Sequence, residues 1–220
     1  MIITIDGPSG GGKSTVARIV AQKLGLRYLD TGAMYRAVTL HCMRAAIRLE
    51  DSRLVAETGP SADLRFEVNP SSPIQVFLSG DDVSDAIRTQ EVTRNIHFVA
   101  DVKEVRDFLG RLQHVFAGDD GVVTEGRDQG SVVFPDADLK IYLYASPEVR
   151  AERRTRELKE RGFEVDYDQV LEEISRRDYL DMAREIGALR KAPDAIELDT
   201  SALSPGQAAD EVVRLATERK

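Results

Sequence analysis

Met1-Ile2-Ile3-Thr4-Ile5-Asp6-Gly7-Pro8-Ser9-Gly10-Gly11-Gly12-Lys13-Ser14-Thr15 decides the fold class of this chain. Residues 1–5 read as a short buried strand with β-branched side chains. Gly7 and Gly12 bracket four residues, and Lys13 and Ser14 follow at once, which is the P-loop spacing. Val16, Ile19, Val20 and Leu24 then recur at helical intervals, and Gly25 stands where the helix should end. The order strand, glycine-rich loop, helix is what phosphate binding requires. The glycines let backbone N–H groups turn inward around phosphate oxygens, and the helix N-terminus adds partial positive charge. The loop Gly7, Pro8, Ser9, Gly10, Gly11, Gly12, Lys13, Ser14 and Thr15 is therefore expected to bind ATP. Lys13 would reach the β- and γ-phosphates, and the Ser14 hydroxyl would hold Mg²⁺.

The remaining composition narrows the class. The 220 residues carry a formal net charge of -8, so no global attraction to nucleic acid is expected. No run approaches membrane length, and the first strand is too short for a signal peptide, so a cytoplasmic protein without a membrane partner is expected. Cys42 is the single cysteine. It lies in a helix-like run with no charged neighbour to activate it, and reads as a packing residue.

Strand and helix signals alternate along most of the chain, which predicts an α/β fold with a five-stranded parallel sheet. The strand candidates are Ile2–Asp6, Arg27–Asp30, Val122–Glu125, Lys140–Tyr144 and Ala195–Leu198. Between the second and third lies a stretch of another kind. Residues 63–68 alternate with period two, 69–73 are turn material, 74–78 form another strand, and Ser79-Gly80-Asp81-Asp82 closes it as a turn. This β-rich insert, at about 60–90, is expected to grip a second substrate or to be a structural embellishment.

Arginines gather where strands end. Asp30-Thr31-Gly32-Ala33-Met34-Tyr35-Arg36 follows the second strand, and Glu125-Gly126-Arg127-Asp128 follows the third. Ligands of open parallel sheets bind beyond the carboxyl ends of the strands, so Arg36 and Arg127 are expected at the phosphate cleft. Two guanidiniums there suit a second phosphorylated substrate. Arg177, Asp181 and Arg184 share one face of a helix by spacing, as a binding group or as a surface ion-pair ladder. Residues 150–161 hold six basic side chains against three acidic ones. That cluster reads either as a solvated helix face or as a lid whose arginines close over a phosphoryl group. No guanine-reading Asn-Lys-x-Asp element is present.

With these segments together the chain resembles bacterial cytidylate kinases, members of the nucleoside monophosphate kinase group. The resemblance covers nearly the whole chain. Its carriers are residues 5–10, 29–36, 87–92, Gly126-Arg127-Asp128 with Val132-Val133-Phe134-Pro135-Asp136-Ala137, and Arg177, Asp178, Asp181 and Arg184. The resemblance implies a single P-loop kinase unit over 1–220, with a monophosphate-binding region at 32–98 and a short lid at 150–166. It implies transfer of a phosphoryl group from ATP to CMP and dCMP, with Mg²⁺, by a monomer. Arg36, Arg127 and Arg184 would serve the acceptor phosphate region, Arg177 and Asp181 the sugar, and Arg106 and Asp128 the base, with Thr31, Tyr35 and His97 as further substrate-binding candidates. Lys13, Arg127, Arg153 and Arg156 would be the catalytic cations.

The base assignment is chemically coherent. Cytosine presents an exocyclic amine that a carboxylate accepts, whereas uracil presents a carbonyl that would repel Asp128. The chain departs from the family pattern at three positions. His97 stands where a small hydroxyl residue is common, Gln129 where an apolar residue is common, and Ala188 where proline is usual. A different P-loop kinase would keep Lys13 without needing Asp128 and Arg106 together. A non-catalytic nucleotide-binding regulator should have lost Lys13, Ser14 or the lid arginines, and all are present.

Overall fold

The structure is a computed structural model that describes residues 1–67, 74–160 and 162–219. Val68, the expected turn at 69–73 and Arg161 of the basic cluster lie outside the described residues. The main sheet has five strands in the order β2-β6-β1-β7-β8. These are β1 Ile2–Asp6, β2 Arg27–Asp30, β6 Val122–Gly126, β7 Leu139–Tyr144 and β8 Ile196–Asp199, each within a residue of its expected limits. β1 and β7 pair in parallel with Ile3 beside Leu139 and Ile5 beside Ile141, and β7 pairs in parallel with β8. The central strands β1, β6 and β7 are almost wholly buried, as expected of a parallel sheet covered by helices, whereas the edge strands β2 and β8 are only partly so. Ile3, Ile5, Leu139 and Leu143 are fully buried. Burial of each such side chain is worth roughly 1.5–3 kcal/mol.

By internal packing the chain divides into two units. The first comprises Met1–Leu26, Val123–Arg184 and the chain from Ala188 onward. Within it, α1 (Lys13–Leu24) ends at Gly25, whose left-handed backbone closes the last turn, as the sequence predicts. α1 packs on α8 (Pro205–Thr217), which opens with a capping box between Ser204 and Gln207. α6 (Pro147–Glu160) begins where Ser146 accepts the N–H of Val149. It lies against α7 (Tyr167–Ala183) through Ala151, Val170 and Ile174.

The second unit is Arg27–Val122 with Glu185–Gly187, wider than the 32–98 region read from the sequence. The extension arises because α5 (Lys103–Ala117) packs with α2 (Thr31–Arg44) and α3 (Ser52–Thr58), burying Val105 and Leu109. α4 (Gln90–Ala100) also lies on α2. The insert is a three-stranded antiparallel sheet of β3 (Leu64–Glu67), β4 (Gln75–Leu78) and β5 (Asp81–Asp82). Asp81 and Asp82 were expected as turn residues and instead pair with Leu78 and Phe77. Ser79 and Gly80 alone make the reversal, with φ of 52° and 88°, the two-residue hairpin conformation that matches strand twist. Cys42 is fully buried in α2, and burial pushes its thiol up to about 11, in keeping with a packing role. Among the described residues no helix is long and apolar enough to cross a membrane.

Candidate active site

In the first unit the P-loop runs from β1 into α1 with Gly12 in a left-handed conformation. Gly7 fits against the neighbouring strand so closely that a Cβ there would lie 1.9 Å from the Leu143 carbonyl oxygen. Lys13 is buried and donates to the Pro8 carbonyl at 2.7 Å. Burial pushes its ammonium down to about 7, and the nearby Arg127 charge adds to that, against the pull of Glu125 and Asp181. Ser14 donates its hydroxyl to the buried Glu125 carboxylate at 2.8 Å. A hydroxyl beside a carboxylate at the end of the P-loop is a hard-oxygen set that suits Mg²⁺.

Two buried carboxylates organise this unit, Asp181 by holding arginines and Asp6 by holding backbone N–H groups. Asp181 accepts Arg127 Nε at 2.6 Å on one oxygen and meets Arg184 Nη2 at 3.0 Å on the other. Burial opposes its charge, yet Arg127 and Arg184 hold the carboxyl below its usual range. α7 stops at Ala183, so Arg184 sits just past the helix, not on a shared helical face with Arg177 as the spacing suggested. Asp6, at the end of β1, accepts the N–H groups of Gln129 at 2.9 Å and Gly130 at 2.8 Å. Burial pushes Asp6 up to about 7; these two N–H groups pull it down, and Asp128 raises it further.

The arginines of α6 have separate fates. Arg150 is 2% exposed; it donates to the Ala145 and Ser9 carbonyls, each at 2.9 Å, and pairs with Asp178 at 2.6 Å. Arg153 donates to the carbonyl of Thr200 at 2.5 Å, with longer contacts to Ser201 and Leu203. This ties Arg153 to the chain after β8. Arg154 pairs with Glu157, and Arg156 is exposed.

The second unit repeats the device of one carboxylate holding two arginines. Asp30 caps α2 by accepting the N–H of Ala33, and its other oxygen meets Arg36 at 3.2 Å and Arg88 at 3.9 Å. Thr31 is buried in the first turn. Arg106 donates to the Ala100 carbonyl at 3.0 Å and lies 5.5 Å over the Tyr35 ring. His97 bonds the Arg94 carbonyl at 2.8 Å and stacks on Phe98.

The family model described as cytidylate kinase matches residues 3–218. The chain belongs to the cytidylate kinase family. A protein named cytidylate kinase from Listeria monocytogenes is 47% identical over 214 residues, covering 97% of this chain and 95% of the relative. One from Clostridioides difficile is 42% identical, covering 97% and 96%, and one from Rhodopirellula baltica is 44% identical, covering 99% and 93%. Among solved structures, an uncharacterized protein from Eubacterium ventriosum is similar at TM-score 0.53 with 12% identity, covering 99% of this chain and 98% of that one. One from Thermus thermophilus is similar at TM-score 0.52 with 17% identity, covering 99% and 96%. These likenesses concern the fold.

Against that family membership, the sequence reading missed Asp6, Glu125, Arg150 and Asp178 as parts of the site. Asp6 carried a signal, since a carboxylate closing a buried strand must be paired or neutral. Gln129 is fully buried and accepts the Thr124 hydroxyl at 2.9 Å, which accounts for a polar residue at a position where apolar ones are common.

Proposed function

We propose that this chain transfers the γ-phosphoryl group of ATP to CMP, and also to dCMP, acting as a monomer. Membership of the family supports the reaction, and the names of its relatives support the acceptor. The observation that carries the reading is the gathering of Lys13, Arg127 and Arg177 around one buried P-loop site. Burial pushes the lysine down to about 7, the Arg127 and Arg177 charges add to that, and the arrival of phosphate anions would restore its charge.

Lys13 would leave the Pro8 carbonyl for the donor phosphates, where an anionic partner restores its charge. Mg²⁺, when bound through Ser14 with Glu125 beside it, would neutralise charge on the phosphate oxygens. Arg127 and Arg184, pre-aimed by Asp181, would stabilise the charge of the migrating group, with Arg156 as the lid residue proposed to assist. Arg177 and Asp181 are proposed to hold the sugar, which would have to share Asp181 with the two arginines. In the second unit Arg36 would serve the acceptor phosphate, Arg106 and His97 are proposed as base contacts, and Thr31 and Tyr35 as further substrate-binding residues; in the first unit Asp128 is proposed to accept the base amine. The acceptor is already an anionic oxygen, so positioning and charge neutralisation suffice without a general base.

A coupled assay of ADP release with CMP, dCMP, UMP and AMP tests this reading. The highest kcat/KM is expected for CMP, with dCMP near it. A preference for AMP, or turnover with none of the four, would overturn it. Sedimentation velocity with and without nucleotides checks the monomer.

A further inference from the structure

The Arg106 guanidinium on α5 is held from several sides. Its Nη1 donates to the Ala100 carbonyl at 3.0 Å, and its Cζ lies 5.5 Å over the Tyr35 ring. A further neighbour is main chain, since the segment Glu185–Gly187 belongs to the same packed unit as α5. Gly187 has a φ of 66°, in the left-handed region that favours glycine. A Cβ there would lie 2.0 Å from Arg106 Cζ, 2.1 Å from Nη2 and 2.4 Å from Nη1. These distances are far inside van der Waals contact, so the guanidinium fills the space that any side chain at 187 would need. Gly25 supplies the contrast: its φ is 67°, yet among the described residues nothing lies within 4 Å of where its Cβ would stand. Backbone shape alone explains a glycine at 25, whereas at 187 the guanidinium adds a second demand. The next residue agrees with this. Proline at 188, usual in the family pattern, would drive residue 187 toward extended backbone, and Ala188 leaves the left-handed conformation open.

We propose that Gly187 is a specificity-determining positioning residue: by presenting bare main chain, it gives the Arg106 guanidinium the place from which it donates to the acceptor base. This inference rests on the reading of Arg106 as a base contact. A guanidinium donates and never accepts. Cytosine meets it with acceptors at N3 and O2, whereas uracil carries an N–H at N3. A guanidinium fixed in register therefore favours CMP over UMP. A methyl group at 187 displaces the tip of a flexible side chain, so the register is lost while the fold survives.

The test compares kcat/KM for CMP and UMP in the wild type, Gly187→Ala, Gly25→Ala, Arg106→Ala and the double variant Gly187→Ala with Arg106→Ala, with melting temperatures measured alongside. Gly25→Ala carries the same left-handed strain without a displaced neighbour; it is expected to melt lower and keep the wild-type ratio. Gly187→Ala is expected to lower the CMP-to-UMP ratio about tenfold, the scale of one hydrogen bond to a charged group, while the KM for ATP changes less than about twofold. Because Gly187 acts through Arg106, the double variant should lose no more discrimination than Arg106→Ala alone. A wild-type ratio in Gly187→Ala beside a lowered one in Arg106→Ala overturns the inference alone, as do losses that multiply in the double variant. A fall of the ratio in both glycine variants also overturns it, because strain and not displacement is then the cause. So does a Gly187→Ala chain that fails to fold where Gly25→Ala folds, since the yielding element is then not the guanidinium. An unchanged ratio in Arg106→Ala overturns the reading of Arg106 as a base contact, and the inference with it.

Discussion

The Arg150 guanidinium meets the Asp178 carboxylate at 2.6 Å and donates at 2.9 Å to the carbonyl of Ser9 in the P-loop. Their side chains are 3% and 12% exposed, so this is a buried pair that joins the phosphate loop to α7. Arg150→Met is expected to cost about 3–5 kcal/mol, because it strands Asp178 as an uncompensated buried charge. Adding Asp178→Asn should recover a large part of that loss. Urea unfolding of the two variants decides, and a double variant no more stable than Arg150→Met would refute the argument.

Lys13→Ala is expected to lower kcat by about 10²–10³, the scale of one lost transition-state contact. CMP affinity, measured by calorimetry without ATP, should change little, since Lys13 addresses only the donor phosphates. Near-normal kcat would remove the P-loop lysine from the reaction.

Arg153 and Arg156 should separate cleanly. Arg153→Ala leaves the Thr200 carbonyl without its guanidinium, and a loss of about 1–2 kcal/mol in stability is expected. Arg156 is exposed, so Arg156→Ala should stay within about 0.5 kcal/mol of wild type. If Arg156 is the lid cation, its removal lowers kcat more than it weakens either nucleotide alone. Unchanged kcat would leave the charge stabilisation to Arg127, Arg177 and Arg184.

The P-loop site also shapes stability against pH. Asp6 rises on folding from 3.8 to about 7, so folding takes up a proton between those values and stability falls as pH rises through that window. Lys13 drops from 10.5 to about 7, so folding releases a proton between 7 and 10.5 and stability rises with pH there. The two contributions together place a minimum near neutrality. Asp6→Asn should remove the acid limb, gaining on wild type by up to about 4 kcal/mol between pH 4 and pH 7.5. Denaturant titrations at those two pH values give the sign directly.

The parts of the site that depend on backbone shape were legible in the sequence. A phosphate loop needs Gly7, Gly12, Lys13 and Ser14 at fixed spacing, and the insert strands announce themselves by alternation. Groups defined by long-range pairing were not. Nothing local in residues 150–156 tells that Arg150 turns inward to Asp178, Arg153 to Thr200, and Arg156 to solvent. Asp81 and Asp82 have poor strand propensity and become a strand only because Ser79-Gly80 folds them back onto β4. Arg88 lies within residues 87–92, but its approach to Asp30 is a tertiary fact.

The fit of Gly7 against Leu143 has a consequence for how this chain can vary. The atom that leaves no room at position 7 is a main-chain oxygen, which every amino acid at position 143 would supply. A saturation library at position 143 should therefore yield many working members wherever the new side chain packs, while one at position 7 should return glycine alone. The tightest constraint on the phosphate loop is in this sense invisible at the residue that imposes it.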